Sequence, residues 1–490
     1  MKRISEKIPS IQEGGEIGTV SVTDLRDVLR RGQCIGCGFC TVPLTTQCPS
    51  EIAADSSHTD DVEIQLGWSP ELEHWVPQYV NAGSADNIDA VPSGAHREAR
   101  RICPGAKMNM RAISHSVFGR EPEDVMAGEI ISVHAGYAAN EDVRRQGASG
   151  GVTTALLNHL FNTEQIDAAY CAVGRNPKSG RGILLRSASD LPSAMGSHYH
   201  PVNFGAGLDG LARSDARFAF VGLPCEIAAL RQLMLFRSDI AERCVVTIGL
   251  FCGGINRYSG IGRYLKRFNI KPDEVEEIDY RYGSWPGRIK YITRDGASSK
   301  TIPRIHGNSR WNILHYMISF QGYWMLPRCR ICPDQIADFA DIAVGDPHLS
   351  RFKTHDSAGY SAIIARTEKG IGVLRKAREA GVVVLENLTR DEVVASQGYT
   401  LENRRHTKVY TKVASVLGIT PPDVSTYSAL PTSRSRHQYV YAFVDLWKIR
   451  VCKVGIFRPF YLPFQIFEYL FLTLSPRLVL TRLRKLATNK

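Results

Sequence analysis

The sequence predicts an α/β protein built on a mixed sheet, and three observations carry that reading. Between about residues 116 and 405, short β-branched and aromatic runs alternate with helical patterns, the order expected of parallel strands joined by crossover helices. One stretch, DYRYGSWPGRIKYITRDG, reads instead as a hairpin and adds antiparallel strands to the body. The 490 residues are 43% hydrophobic and 22% charged, a globular composition long enough for a sizeable core.

Taken in order, a polar leader occupies residues 1–25. It carries charge but no apolar stretch of the kind a cleaved secretory signal needs, so a cytoplasmic, reducing setting is expected. A cysteine-bearing segment follows over 26–115. In the body, 116–405, ISVHAGYAA predicts a strand and SGGVTTALLNHLF a helix. DAAYCAVG is the next strand; RFAFVGL precedes the helix PCEIAALRQLML, and CVVTIGLF precedes a helix near SGIGRYLKRF. DIAVGD, YSAIIART with the helix GIGVLRKAREA, and VVVLEN extend the alternation. Residues 406–490 form a basic, apolar tail.

The formal net charge is +11. Residues 431–490 hold eleven Lys and Arg against Asp445 and Glu468, so most of that charge sits in the tail. The remainder is nearly neutral, which excludes a nucleic-acid-binding body. Within the tail, IFRPFYLPFQIFEYLFLTL (456–474) is interrupted by Arg458, Pro459, Pro463 and Glu468, making it a poor spanning helix. Two readings remain open: a helix lying peripherally on the inner, anionic face of a membrane, or a cover over the body or over an interface between copies in a homo-oligomer.

Twelve cysteines in a reducing compartment are poorly explained by disulfides. Cys34, Cys37, Cys40, Cys48, Cys103, Cys329 and Cys332 stand in Cys-x-x-Cys or Cys-Pro contexts, which point to metal or redox chemistry. The spacing Cys34-x2-Cys37-x2-Cys40 is that of a ferredoxin-type loop aiming three thiolates at one iron–sulfur cluster. A first [4Fe-4S] cluster is therefore expected on Cys34, Cys37, Cys40 and Cys103. A second is expected near Cys48, Cys329 and Cys332, its fourth ligand drawn from Cys225, Cys252 or Asp334. Structural zinc is the rival, since it also takes four thiolates. Cys171, Cys244 and Cys452 read as small core residues.

The stretch QGASGGVTTALL (146–157) sets a glycine turn before a helix. Gly147, Gly150 and Gly151 would allow close backbone approach to a ligand, and Ser149 with the helix start could hold a phosphate; the alternative is a plain turn. Cys225 follows Pro224 at a helix start after a strand, where the helix dipole should lower its pKa. Cys252 ends the next strand. Both are candidate catalytic or ligating thiols, with inert core cysteines the alternative. His198 and His200 sit in GSHYHPVN; His348, in the Gly-Asp-Pro turn of GDPHLS, is the better catalytic candidate.

Together the cysteine triplet, Cys103-Pro-Gly, GASGG, GSHYHP, GLPCEIAAL, GLFCGG and CRICPDQIADFADIAVGD resemble the coenzyme F-420 hydrogenase/dehydrogenase beta-subunit family, which includes plant hydroxymethyl-chlorophyll reductases. The resemblance spans about residues 30 to 400. It implies a flavin-binding α/β body with an N-terminal ferredoxin-like iron–sulfur segment. It also implies an oxidoreductase that moves electrons from reduced ferredoxin or a similar donor through [4Fe-4S] to FAD, and on as hydride to a small-molecule substrate. By resemblance, Gly147, Ala148, Ser149, Gly150 and Gly151 lie on the FAD pyrophosphate, with Ser197 and Tyr199 nearby. The long loop to Cys48, and the lack of a second triplet over residues 50 to 100, leave one or two clusters open. Two alternatives stand beside this reading: an electron-transfer beta subunit of a hydrogenase or dehydrogenase complex using a deazaflavin coenzyme, and a zinc-stabilised interaction protein.

Overall fold

The computed structural model describes residues 25–42, 64–79, 99–176, 179–283, 285–294, 299–304, 310–320, 322–352, 358–419, 423–427, 436–451 and 455–466. The leader, Cys48, Cys452 and residues 467–490 lie outside the described residues. Ahead of the body, β1 (Ile64–Ser69) and β2 (His74–Tyr79) form a hairpin, and β3 (Lys107–Asn109) leads into the helix Met110–Phe118. The body begins with β4 (Ser132–Ala138), β5 (Ala168–Val173), β6 (Arg181–Leu185), β7 (Phe218–Gly222) and β8 (Cys244–Leu250). It continues through β9 (Val275–Tyr282), β10 (Arg288–Thr293), β11 (Ser299–Ile302), β12 (Ile342–Gly345), β13 (Ser361–Ala365) and β14 (Val383–Asn387); β15 (Asp423–Ser425) follows.

Eight of these strands make one mixed sheet in the order β14-β4-β13-β12-β8-β7-β5-β6. The pairs β5–β7, β7–β8 and β8–β12 are parallel. Because β13 runs antiparallel to both β12 and β4, β4 points the same way as β12. The carboxyl ends of β4, β5, β7, β8 and β12 therefore share one edge, the edge where open α/β sheets gather ligands. Strands β6, β13 and β14 run the other way.

Every residue of FAFVG in β7 and of SAIIA in β13 is buried, as strands covered on both faces require. One face packs the helices Val152–Asn162 and Glu368–Glu379 through Leu156, Leu160, Val373 and Leu374 against Val246, Ile248 and Ile363. The other packs Pro224–Met234 through Ile227 and Leu230, and this core also takes in Phe39, Ile102 and Ile113 from the N-terminal segment. Each such fully buried aliphatic side chain contributes about 1.5–3 kcal/mol. The N-terminal segment is thus welded to the body by a shared core.

Two elements differ from the sequence expectation. The hairpin of DYRYGSWPGRIKYITRDG, β9 and β10, joins β11 in a separate three-stranded sheet instead of extending the main one. That small sheet has its own core, in which Tyr264 and Phe320 pack with Ile278 and Tyr280. The β1–β2 hairpin is an additional element, held by an edge-to-face pair of Trp68 and Trp75 at 5.7 Å. Strand β3 pairs in parallel with β15, so chain segments some 300 residues apart meet in one small ladder.

In the tail, the helix Arg436–Val451 lies against Thr407–Val416, burying Ala442 and Leu446 with Val409, Tyr410 and Val413. The Tyr410 hydroxyl donates to Asp445 at 2.7 Å, and Arg330 pairs with the same carboxylate at 3.4 Å. These contacts pack one side of the helix against Thr407–Val416, Arg330 and Ile331. Among the described residues, no helix is long and apolar enough to cross a membrane.

Candidate functional site

The loop after the helix Leu25–Arg30 folds back on itself through Gly36 and Gly38, whose φ values of 72° and 77° suit glycine. A Cβ on Gly38 would also stand 2.3 Å from Gly205 Cα. This loop delivers Cys34, Cys37 and Cys40, and the turn at Pro104-Gly105 delivers Cys103. All four line one cavity, closed over by Val28, Leu66 and Pro77. The β1–β2 hairpin supplies the last two, so it acts as a cover over the thiols. Loss of hydration pushes the Cys34 thiol up to about 12 and raises Cys37, Cys40 and Cys103 as well; the four also repel one another as thiolates.

A second set assembles from three more places. Cys225 starts the helix after β7, Cys252 follows β8, and Cys329 and Cys332 lie at the short helix Pro327–Arg330. After the dominant effect of lost hydration, Cys225 feels Cys332, Cys252 and Cys329 as charged neighbours, Cys252 feels Cys329 and Cys332, and Cys329 feels Cys332. The Gly254 N–H donates to Cys252 Sγ at 3.3 Å and the Ile255 N–H to Cys329 Sγ at 3.5 Å, the kind of N–H to sulfur bond that steadies a thiolate ligand. All ten described cysteines are free of disulfides.

These placements refine the expected ligand sets and correct two expectations. The first set is the one expected. In the second, both Cys225 and Cys252 lie with Cys329 and Cys332; Cys48, also expected there, lies outside the described residues. Asp334 is engaged elsewhere, its carboxylate accepting from the Ile336 and Asp338 N–H groups at 3.1 and 3.0 Å. The helix-dipole argument for a lowered Cys225 pKa also fails. Desolvation, then the Glu226 carboxylate beside it, raises that thiol, and burial likewise lifts Glu226 to about 8. No group of three or more His, Cys, Asp or Glu among the described residues is arranged to hold a metal ion. Zinc needs four sulfurs about 2.3 Å from one point, whereas a cubane spreads its ligands over four irons. Two all-thiol sets, the first around a cavity and the second with amide donors to sulfur, fit the larger inorganic group.

The remaining candidates cluster at the carboxyl edge. Gly147 and Gly151 touch backbone to backbone, and a Cβ on Gly150 would meet Gly136 O at 2.5 Å, so packing alone demands these glycines. Ser149 donates its hydroxyl to the Tyr360 carbonyl, and Ala148 lies between the packed glycines. No side chain caps the helix that begins at Val152, which leaves its first-turn N–H groups for an anion. The loop carrying half-buried Ser197 and Tyr199 lies against the same edge: His198 bonds Gly174 O after β5 at 2.6 Å, and Asn256 N–H donates to Tyr199 O at 3.1 Å. Arg304 donates to the Tyr199 hydroxyl at 3.0 Å. His200 is buried against the Tyr280 hydroxyl at 2.7 Å, so it belongs to the packing of the small sheet. Exposed His348 lies two residues beyond Asp346, whose carboxylate is gripped by Arg281 and held low by it despite burial.

Sequence reasoning missed Arg281, Arg304, Glu226 and Arg328. The last is 1% exposed and sits between the thiol sets. Its only sequence signal is its place one residue before Cys329.

Comparison with known proteins places the body of the chain in a family. Residues 133–208 match the family model for the N-terminal part of the coenzyme F420 hydrogenase/dehydrogenase beta subunit, and residues 215–391 match the model for its C-terminal part. The second thiol set and the GASGG turn fall inside the matched regions; Cys34, Cys37, Cys40 and Cys103 precede them. The chain is 27% identical over 252 residues to the coenzyme F420-dependent sulfite reductase of Methanocaldococcus jannaschii, covering 48% of this chain and 35% of that protein. It is 20% identical over 264 residues to the coenzyme F420 hydrogenase subunit beta of Methanothermobacter thermautotrophicus, covering 52% and 82%. With one of the F(420)H(2) dehydrogenase subunits of Methanosarcina mazei it shares 27% over 249 residues, covering 49% and 62%. The chain therefore spans about a third of the sulfite reductase's length. A chain of the F420-reducing [NiFe] hydrogenase complex from Methanosarcina barkeri superposes with a TM-score of 0.48 at 19% identity, covering 62% of this chain and 99% of that one. With its two matched regions together exceeding half of its length, the chain belongs to the coenzyme F420 hydrogenase/dehydrogenase beta-subunit family of oxidoreductases.

Proposed function

We propose that the chain passes electrons between thiol-held iron–sulfur clusters and a two-electron organic carrier, as the beta-type subunit of a hydrogenase- or dehydrogenase-like assembly using a deazaflavin coenzyme. The observation that carries this reading is the convergence of eight cysteines into two four-thiol sets beside the carboxyl edge of the main sheet. Cys34, Cys37, Cys40 and Cys103 would hold one [4Fe-4S] cluster, and Cys225, Cys252, Cys329 and Cys332 the other. Such clusters supply one-electron storage when bound. Gly147 to Gly151, with Ser197 and Tyr199, would hold FAD, which supplies exchange between single electrons and a hydride.

The chain's own residues bind, orient and shield. The amides of Gly254 and Ile255 steady two thiolates, the β1–β2 hairpin keeps water from the first set, and His348 stands exposed at the mouth of the edge. Residues 26–115 then form the first cluster segment, 116–405 the flavin-binding body and 406–490 the tail. The match covers 82% of a hydrogenase beta subunit but 35% of a sulfite reductase, which favours one component of a larger assembly over a complete reductase.

A second reading, a self-sufficient reductase fed by ferredoxin, draws on the 27% identity to a protein named as a reductase. The test is anaerobic reconstitution of the full chain with iron, sulfide and FAD, followed by assays of coenzyme F420 and of ferredoxin. Iron and flavin bound stoichiometrically, with F420 exchanging electrons only with an artificial or partner-supplied donor, supports the subunit. Steady turnover of a small-molecule acceptor with ferredoxin alone supports the reductase. A colourless protein containing zinc overturns both in favour of the interaction scaffold.

Peripheral membrane contact belongs to the same proposal. Ile456 is 74% exposed, Phe460 62% and Val440 60%, beside a tail whose basic residues far outnumber its acidic ones. Flotation with phosphatidylglycerol vesicles, lost in an I456E/F460E variant and absent with phosphatidylcholine alone, supports it; no flotation with either lipid rejects it.

A further inference from the structure

Arg328 touches the surroundings of both thiol sets. It precedes Cys329 in the second set, while its Nε and Nη2 donate to the carbonyl of Pro104, the neighbour of Cys103 in the first, at 3.3 and 3.2 Å. Nη2 also approaches Met108 Sδ at 3.4 Å. The guanidinium is 1% exposed and also bonds the Cys332 thiol, and among the described residues it forms no ion pair with a carboxylate. A buried, unpaired cation is costly unless negative charge lies close by. The negative charge on offer is that of the groups the two sets would hold: Arg328 adjoins Cys329 in the chain and grips the carbonyl next to Cys103. Arginine stays protonated at any working pH, so this charge is permanent.

We propose that Arg328 is a positioning residue that couples the two thiol sets, fixing their separation through the Pro104 carbonyl and placing one permanent positive charge between them. That charge favours the more negative, reduced state of the group each set holds, so one residue raises both reduction potentials together. The inference rests on the two-cluster reading above and adds a role for a residue that is not itself a ligand. No bond is made and no proton moves: the guanidinium keeps its charge in every state.

The test is potentiometric titration of the reconstituted full-length chain, read by low-temperature electron paramagnetic resonance, on the wild type, R328M and R328K, with iron measured in each sample. A wild type that holds about four irons or fewer, where two cubanes require about eight, overturns the two-cluster reading and the inference with it. With both clusters present, negative shifts of both potentials in R328M, largely restored in R328K, support the proposal. Unshifted potentials in R328M, or a shift confined to one cluster, overturn it and leave the two-cluster reading standing. If R328M loses its iron, R328K decides. Retained potentials with weakened spin coupling between the clusters support the proposal, because lysine keeps the charge but not the two-point grip; unchanged spin coupling overturns it.

Discussion

Arg281 holds Asp346 through two hydrogen bonds, 2.9 and 3.1 Å long, and so pins the small β9–β11 sheet to the carboxyl end of β12. Both side chains are largely hidden, 7% and 16% exposed. Replacing Asp346 by Asn leaves the guanidinium buried without its counter-charge and is expected to cost about 3–5 kcal/mol. Denaturant unfolding of D346N measures this; a double R281M/D346L variant should recover most of the loss.

The two-cluster proposal gives Cys225 and Cys252 the same role as Cys329 and Cys332. Serine at any one of the four should lower bound iron to about half while the first cluster remains. Serine at Cys103 should do the same to the other half. Iron and sulfide analysis checks both, and wild-type iron in C225S would remove that residue from the set.

Glu73, at the tip of the β1–β2 hairpin, accepts from the Ser259 N–H at 2.8 Å and from its hydroxyl, capping the helix Tyr258–Lys266. The E73A variant should lose about 1 kcal/mol, the usual worth of such a cap. It should also expose the first thiols, read as faster alkylation of Cys34, Cys37 and Cys40 in the iron-free protein.

Burial holds the pKa of His200 well below its ordinary 6.5, and His198 lies below it too. As pH falls past about 6.5 the unfolded chain takes up protons that the folded chain refuses, so stability drops with acidification from that point downward. Above pH 6.5 the contribution is fully present. Thermal melts between pH 7.5 and 5 should show the decline, and an H200F variant should flatten part of it.

Much of the fold was legible because its signals are local. Ten of the eleven segments from ISVHAGYAA to VVVLEN lie within two residues of the observed strands and helices, since buried parallel strands and amphipathic crossover helices write their burial directly into residue order. Strand direction was less legible: β13 is as fully buried as β7, and only pairing partners decide which way it runs. The β1–β2 hairpin was hidden because Pro77 and Gly67 break the usual alternation, and its apolar residues answer to the cysteine loop rather than to a sheet of their own.

The candidate site divided along the same line. Cys34, Cys37 and Cys40 are neighbours in sequence, so their spacing alone revealed them. Cys225, Cys252 and the pair at 329 and 332 meet only because β7, β8 and the segment before β12 end at one edge, a fact of topology that spacing does not contain. Arg328 and Arg281 carry no motif at all; each is recognisable only by what it faces.

The short parallel ladder between β3 and β15 sets an order of events during synthesis. Cys103 stands four residues before β3, whose partner strand is translated more than three hundred residues later. The ladder that follows Cys103 thus closes only after residue 425 has been translated, so this corner of the native structure is among the last to form.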